Sequence, residues 1–129
     1  MATQPATPIR QRKMVEVKAP ELFQFTKTGQ HFGGVLLQIE PTELTNKQSG
    51  QRNSAIEYMF QNPDGGARWT CLGTNDLNKK LNPAMIGHYI EVRYENDDSS
   101  FQKQGQSPMK VFKVTISRDK EPGFESFGV

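Results

Sequence analysis

A short helix with clear start and stop signals, set between two runs of strand-forming residues, is the feature that most constrains the fold of this chain. The hydroxyl of Thr74 can cap the first turn of this helix, and Pro83 stops it. Leu77 and Leu81 lie four residues apart and therefore share one face. One strand before the helix and two after it, with a long loop between the last two, form the back half of a small β-barrel.

Five strands are predicted from the two-residue alternation of apolar side chains. They cover residues 33–40, 54–61, 67–73, 88–95 and 109–117. Pro41 is expected to end the first strand, and the polar residues 41–53 and 96–108 are expected to be long loops. A turn at residues 62–66, which contains Pro63 and two glycines, joins the second and third strands into a hairpin. The Gly33-Gly34 pair predicts a coil or bulge in a tightly curved strand.

The composition allows one domain of ordinary size. The chain has 129 residues, of which 34% are hydrophobic and 23% charged, as in a soluble globular protein. We predict a flexible basic arm over residues 1–22, a barrel over residues 23–118 and a C-terminal tail over residues 119–129. The net charge of +2 is too small to hold duplex DNA by charge alone, so a nucleic-acid site would need locally clustered charge and stacking.

Cysteine content and the N-terminus predict a cytoplasmic protein. Cys71 is the single cysteine, which excludes an internal disulfide and a cysteine-rich zinc site, and we expect it to be a small buried residue. Residues 1–8 have neither the apolar core nor the charged leader of a signal peptide, and no apolar run reaches membrane-spanning length.

An enzymatic function is not expected. His31 and His88 lie in separate segments without a second ligand at metal spacing, and both are expected to be ordinary surface or rim residues. No serine or cysteine lies in a nucleophile motif. The Gly65-Gly66 pair lacks the strand-to-helix context of a phosphate loop and is better explained as part of a turn.

Several residues carry a resemblance to a known group. They are the Gly73-Thr74 pair with Leu77 and Leu81, then Gly87 and the alternation that ends at Tyr94, then the strand Lys110-Val111-Phe112-Lys113-Val114. This pattern, over roughly residues 33–116, resembles the compact OB-fold proteins of bacteriophages and prophages that are similar to single-stranded DNA-binding proteins. Residues 119–129 are only faintly similar to the acidic tail with which bacterial members of that group recruit partners.

The resemblance implies an all-β protein, a five-stranded OB barrel with one short helix between strands 3 and 4. It implies sequence-tolerant binding of single-stranded DNA in replication or recombination, in the cytoplasm of a bacterial host, with no metal or nucleotide cofactor. RNA, a second copy of the chain and replication or recombination proteins stay open as further partners, and no membrane is expected. The alternative is a phage protein-interaction or assembly module that uses one barrel face to bind a polypeptide.

Single-strand binding needs aromatic faces for the bases and a cationic groove for the phosphates. An OB barrel places both on its second and third strands and on the first and last long loops. The predicted binding residues are Lys47, Arg52, Arg68, Trp69, Arg93, Phe101, Lys103, Lys110 and Lys113. The alternation leaves open whether Trp69 faces the ligand or the core. Phe101 is either a stacking platform or an anchor that folds its loop back onto the barrel.

Overall fold

The computed structural model describes residues 19–100 and 108–128. The elements are β1 (Glu21–Phe23), β2 (His31–Thr45), β3 (Arg52–Gln61), β4 (Arg68–Leu72), helix α1 (Asn75–Lys80), a 3₁₀ turn (Pro83–Met85), β5 (His88–Asp98) and β6 (Met109–Lys120). Most of the predicted N-terminal arm and the predicted site residues Phe101 and Lys103 lie outside the described residues.

The strands form one six-stranded sheet in the order β1-β4-β3-β2-β5-β6, which curls into a half-barrel. All neighbouring strands are antiparallel except β1 and β4, which are parallel. The all-β prediction is confirmed at this level, and the expected count of five strands is wrong. β1 has only three residues, too few for an alternation to be recognised, and its strand geometry depends on pairing with β4.

The inner face of the sheet carries the hydrophobic core. Directly paired residues point to the same side of a sheet, so Leu36, Phe60 and Trp69 lie together on this face across β2, β3 and β4. The core contains Leu36, Tyr58, Phe60, Cys71, Leu77, Leu81, Ile90, Val92, Tyr94 and Phe112. Both leucines of the predicted helix are therefore buried, as their spacing indicated.

β2 is longer than predicted and continues through Pro41 to Thr45. Its pairing with β5 covers only the first part of the strand, from His31 to Val35, and the Leu36 carbonyl accepts a hydrogen bond from the Gly87 N–H. Beyond Leu36, within residues 19–100 and 108–128, β2 pairs with another strand on one side only. A proline is tolerated at such an edge because its missing N–H removes no ladder hydrogen bond there. The predicted loop at 41–53 is consequently reduced to residues 46–51.

The two glycines of β2 lie under aromatic rings. A Cβ atom added to Gly34 would lie 2.5 Å from Cη2 of Trp69 on the inner face. A Cβ atom added to Gly33 would lie 2.9 Å from Cζ of Tyr89 on the outer face. The bulge in β2 lies instead between Leu36 and Gln38. The glycine pair therefore allows close packing of aromatic side chains, which is a different role from the predicted bulge.

Helix α1 is fastened to the edge strand β6. The Thr74 hydroxyl accepts a hydrogen bond from the Leu77 backbone N–H at 3.4 Å, as predicted for the cap. Oδ2 of Asp76 accepts hydrogen bonds from the Phe112 backbone N–H and from Nζ of Lys80, both at 2.8 Å. Lys80 also donates to the Phe112 carbonyl. An ion pair of the helix thus satisfies both backbone groups of one residue on β6, and we call this set of contacts the helix latch.

The far end of β6 is irregular. Ile116 pairs with Ile90, but the next pair is Lys120 with His88, so the intervening residues bulge out of the ladder. Oγ of Ser117 accepts a hydrogen bond from the Tyr89 backbone N–H at 3.1 Å across this bulge. Beyond β6 the chain folds back, and the Glu121 N–H donates to the Gly87 carbonyl at 2.9 Å.

Candidate nucleic-acid interface

Three basic side chains line up across the outer face of the sheet. His31 on β2 lies opposite Arg93 on β5, and Arg93 lies opposite Lys113 on β6. All three side chains are exposed. Neighbouring strands are about 4.8 Å apart, so these residues form a row roughly 10 Å long that crosses the strands. We call it the basic row.

The basic row lies in a shallow depression of about 240 Å³. The depression is lined by His31, Glu91, Val92, Arg93, Glu95, Lys113 and Thr115. Glu95 forms an ion pair with the row, with Oε1 4.0 Å from Nε of Arg93. An exposed ion pair of this length contributes little free energy, so an anionic ligand could displace Glu95 at small cost.

A second depression lies where β6 forms the edge of the sheet. This edge groove has a volume of about 560 Å³ and is lined by Lys80, Met85, Glu95, Phe112, Lys113 and Val114. Three of these side chains are apolar and two are cationic. Lys113 and Glu95 line both the edge groove and the depression of the basic row, so the two sites adjoin.

Lys47 and Arg52 lie far from the basic row. Lys47 lies in the turn between β2 and β3 and Arg52 begins β3, at the opposite end of β2 from His31. The 14 intervals between His31 and Thr45 correspond to about 45 Å of contour along the curved strand, and neither Lys47 nor Arg52 lines the depression of the basic row. Nη1 of Arg52 is 3.8 Å from Oε2 of Glu43. The structure therefore does not bring these two predicted residues into one site with Arg93 and Lys113.

Arg68 and Trp69, although adjacent on β4, lie on opposite faces. Nε of Arg68 donates to Oε1 of Gln61 at 3.0 Å on the outer face. The Trp69 ring packs on the inner face, 5.5 Å from the Phe32 ring at 78° and 6.0 Å from the Phe60 ring at 15°. Trp69 is half-buried among core residues, and of its two interpretations this packing favours the core one.

Lys110 lies near the start of β6. It pairs with Asp97 on β5, and its Nζ lies 5.9 Å from the centroid of the Tyr94 ring. Lys110 therefore has an acidic and an aromatic neighbour of its own. Of the nine predicted residues, Arg93 and Lys113 are the pair that the described part of the structure places directly side by side.

His31 is the member of the basic row that is not among the nine binding residues predicted from sequence. Its Nδ1 lies 3.3 Å from the Gly29 carbonyl, which orients the ring at the start of β2. The alternation of apolar residues does not show which residue lies opposite Arg93, because that depends on the register between β2 and β5. His88 is different, since it is half-buried with Nδ1 3.0 Å from the Ser117 carbonyl.

Nucleophilic and metal-binding chemistry can also be assessed for the described residues. Burial raises the pKa of the Cys71 thiol to about 12, so the thiolate that a nucleophile or a metal ligand requires is not formed at neutral pH. No group of three or more His, Cys, Asp or Glu side chains that could hold a metal ion occurs within residues 19–100 and 108–128. Over the same residues, no helix has the length and apolarity needed to cross a membrane.

Comparisons with known proteins found no match to the chain among family models, curated proteins or solved structures.

Proposed function

We propose that this protein binds single-stranded DNA with little sequence preference, and that the phosphate backbone lies along the basic row. The observation that carries the proposal is the direct cross-strand placement of His31, Arg93 and Lys113, all exposed on one face. Arginine and lysine side chains that neutralise phosphates release counterions, which drives binding without regard to sequence. A role in replication or recombination follows as part of this proposal.

We further infer that β2 to β6 form an OB-type barrel to which β1 is added as a sixth strand. Two features support this assignment. Helix α1 lies between β4 and β5, which are the third and fourth strands of that set. β2 pairs with both β3 and β5, which curls a single sheet toward a barrel. OB folds commonly bind nucleic acid strands on the barrel surface.

The proposed path differs from the face predicted from sequence. That face used β3 and β4 with Trp69 as a stacking residue, whereas Trp69 packs toward the core. The outer side of β3 and β4 keeps Arg68 as its one predicted cation among the described residues. β2, β5 and β6 instead provide basic side chains on adjacent strands, so the proposed path crosses these strands.

The test is a titration of fluorescently labelled oligo-dT with purified protein at several salt concentrations. Wild-type binding should weaken with salt, with a slope of roughly −0.7 per phosphate contact on a log–log plot. The double variant Arg93→Gln/Lys113→Gln should bind more weakly and flatten the slope by about 1.4. The control Lys79→Gln/Arg118→Gln removes the same charge from two exposed residues outside the row and should behave nearly as wild type.

Two results would contradict this proposal. Undetectable binding of oligo-dT by the wild type at low salt would rule out the nucleic-acid function and favour the protein-interaction alternative. An equal loss of affinity in the two double variants would mean that net charge, and not the basic row, controls binding.

A further inference from the structure

The edge of β6 exposes backbone hydrogen-bonding groups beside the basic row. Phe112 points its N–H and C=O away from β5, and the helix latch binds both. In an antiparallel ladder the outward-pointing positions recur every second residue, so Val114 and Ile116 point theirs the same way. β6 is the last strand of the sheet, and within the described residues no further strand pairs with it there.

The side chains next to this free edge are apolar. Val114 and Phe112 share the inner face of β6, and together with Met85 of the 3₁₀ turn they are the apolar residues that line the edge groove, which we call its floor. Lys80, Glu95 and Lys113 are the charged residues of its lining. The volume of about 560 Å³ lies within the usual range of small-molecule sites, roughly 300–1,000 Å³.

The edge groove and the basic row are joined through Lys113, which lines both. A ligand that crosses the edge of β6 at Lys113 would place an anionic part on the row and an apolar part in the groove. A nucleotide has this division, because its phosphate is charged whereas its base has apolar faces and a polar edge.

We propose that the edge groove is a base-binding site, in which one base of the bound strand lies against Met85 and Val114 while its neighbouring phosphates contact the basic row. This inference rests on the proposed function. The N–H and C=O of Val114 offer one donor and one acceptor to the edge of the base. Every base carries both kinds of group, so such a site tolerates sequence. In a duplex the same base edges are already paired.

The test compares oligo-dT with an oligonucleotide of equal length that carries abasic sites. Both ligands have the same phosphates, so the ratio of their affinities isolates the contribution of the bases. Stacking of a base on an aromatic side chain corresponds to about 5- to 150-fold in affinity. The contact with Met85 and Val114 is not aromatic, so wild type should prefer oligo-dT by a factor near the lower end of this range. Met85→Gln should reduce this preference, because it puts an amide in the apolar floor.

Met59→Gln is the matched control. Met59 is also half-buried, but it lies on β3 outside the edge groove, so the identical substitution there should leave the preference unchanged. Arg93→Gln changes a residue of the basic row that lies outside the edge groove, so it should weaken the binding of both ligands and keep most of the preference. Circular dichroism and thermal melting establish that each variant is folded. If Met85→Gln does not fold, Val114→Thr, which has nearly the same shape, takes its place with the same expected loss.

The outcomes separate this inference from the proposed function. Salt-dependent wild-type binding with equal affinity for the oligo-dT and abasic ligands would overturn the base site and leave the basic row intact. A similar loss of preference in Met59→Gln and Met85→Gln would place the base contacts elsewhere. Failure of wild type to bind either ligand at low salt would overturn both proposals.

Discussion

Gly73, which joins β4 to helix α1, lies where neighbouring side chains leave no room for a Cβ atom. A Cβ atom there would lie 2.9 Å from Cε2 of Tyr58 and 3.0 Å from Cγ of Asn78, whose side chains share a 2.7 Å hydrogen bond. Its backbone has no positive φ, so the constraint is steric. Gly73→Ala should lower the free energy of unfolding by about 1–3 kcal/mol, as measured by urea denaturation.

Gly65 provides the comparison for this prediction. It has no positive φ either, and its added Cβ would meet nothing closer than 3.8 Å. Gly65→Ala should therefore be neutral or slightly stabilising, because alanine restricts the unfolded chain. If the two substitutions change the free energy of unfolding equally, the close contact of an added Cβ atom with Tyr58 and Asn78 does not reduce stability.

Cys71 should make stability fall in alkaline solution. Burial raises the pKa of its thiol to about 12, whereas an unfolded cysteine titrates near 8.5. Above about pH 8.5 the unfolded state loses a proton that the folded state keeps, so the free energy of unfolding decreases as pH rises toward 12. Between pH 8 and 10.5 the decrease due to this thiol should be about 1–3 kcal/mol.

Cys71→Ala isolates that thiol from other alkaline effects. Burial, and to a smaller degree the neighbouring Cys71, also raises the pKa of Tyr58. The contribution from burial is present in both proteins, and only the smaller one from Cys71 is lost with the thiol. Urea denaturation at pH 8 and 10.5 should therefore give a smaller decrease for Cys71→Ala than for wild type. The same decrease in both proteins would contradict the expected role of the thiol.

Trp69 is expected to act as a core residue. Trp69→Ala removes contacts with Phe32 and Phe60 and uncovers Gly34, so it should lower the free energy of unfolding by about 3–5 kcal/mol. The fluorescence of the wild-type protein should change little when oligo-dT binds. Strong quenching together with a stable Trp69→Ala variant would restore the stacking role predicted from sequence.

Among the secondary-structure elements, β6 should depend on the helix latch for its local stability around Phe112. Asp76→Ala leaves the Phe112 N–H without its acceptor, and an unsatisfied buried donor costs about 1–3 kcal/mol. Amide hydrogen exchange at Phe112 should accelerate, while exchange on β3 at Tyr58 should follow only the global loss of stability. Asp76→Asn keeps an acceptor oxygen and should have a smaller effect. Unchanged exchange at Phe112 in Asp76→Ala would contradict the latch.

Local patterns in the sequence predict secondary-structure elements, whereas the proposed site depends on how the strands pair. Alternation and capping located the helix and the five longer strands, because those signals depend on residues close in sequence. β1 was missed because a three-residue strand depends on its partner β4. The site required the register between strands: Arg93 and Lys113 meet by that register, and Arg52 is separated from them by the unexpected length of β2.

For the whole molecule, we expect single-stranded DNA to bind more tightly than duplex of equal length. The net charge of +2 is too small for strong duplex binding through phosphates alone, and base pairing hides the groups that the edge groove would contact. Competition of unlabelled duplex against labelled oligo-dT measures the difference. Equal competition by duplex and single strand would indicate that phosphates account for all of the binding.

The short free edge of β6 also bears on which macromolecules the sheet can recruit. The helix latch closes it at Phe112 and the bulge interrupts it after Ile116, so two outward-pointing residues remain between these limits. Adding a foreign strand requires several consecutive ladder positions, and protected edges of this kind oppose sheet-to-sheet aggregation. A nucleobase needs only one donor and one acceptor. A short edge of this kind opposes the addition of a strand from a second copy, but it still has enough donors and acceptors for the proposed ligand of nucleotide size.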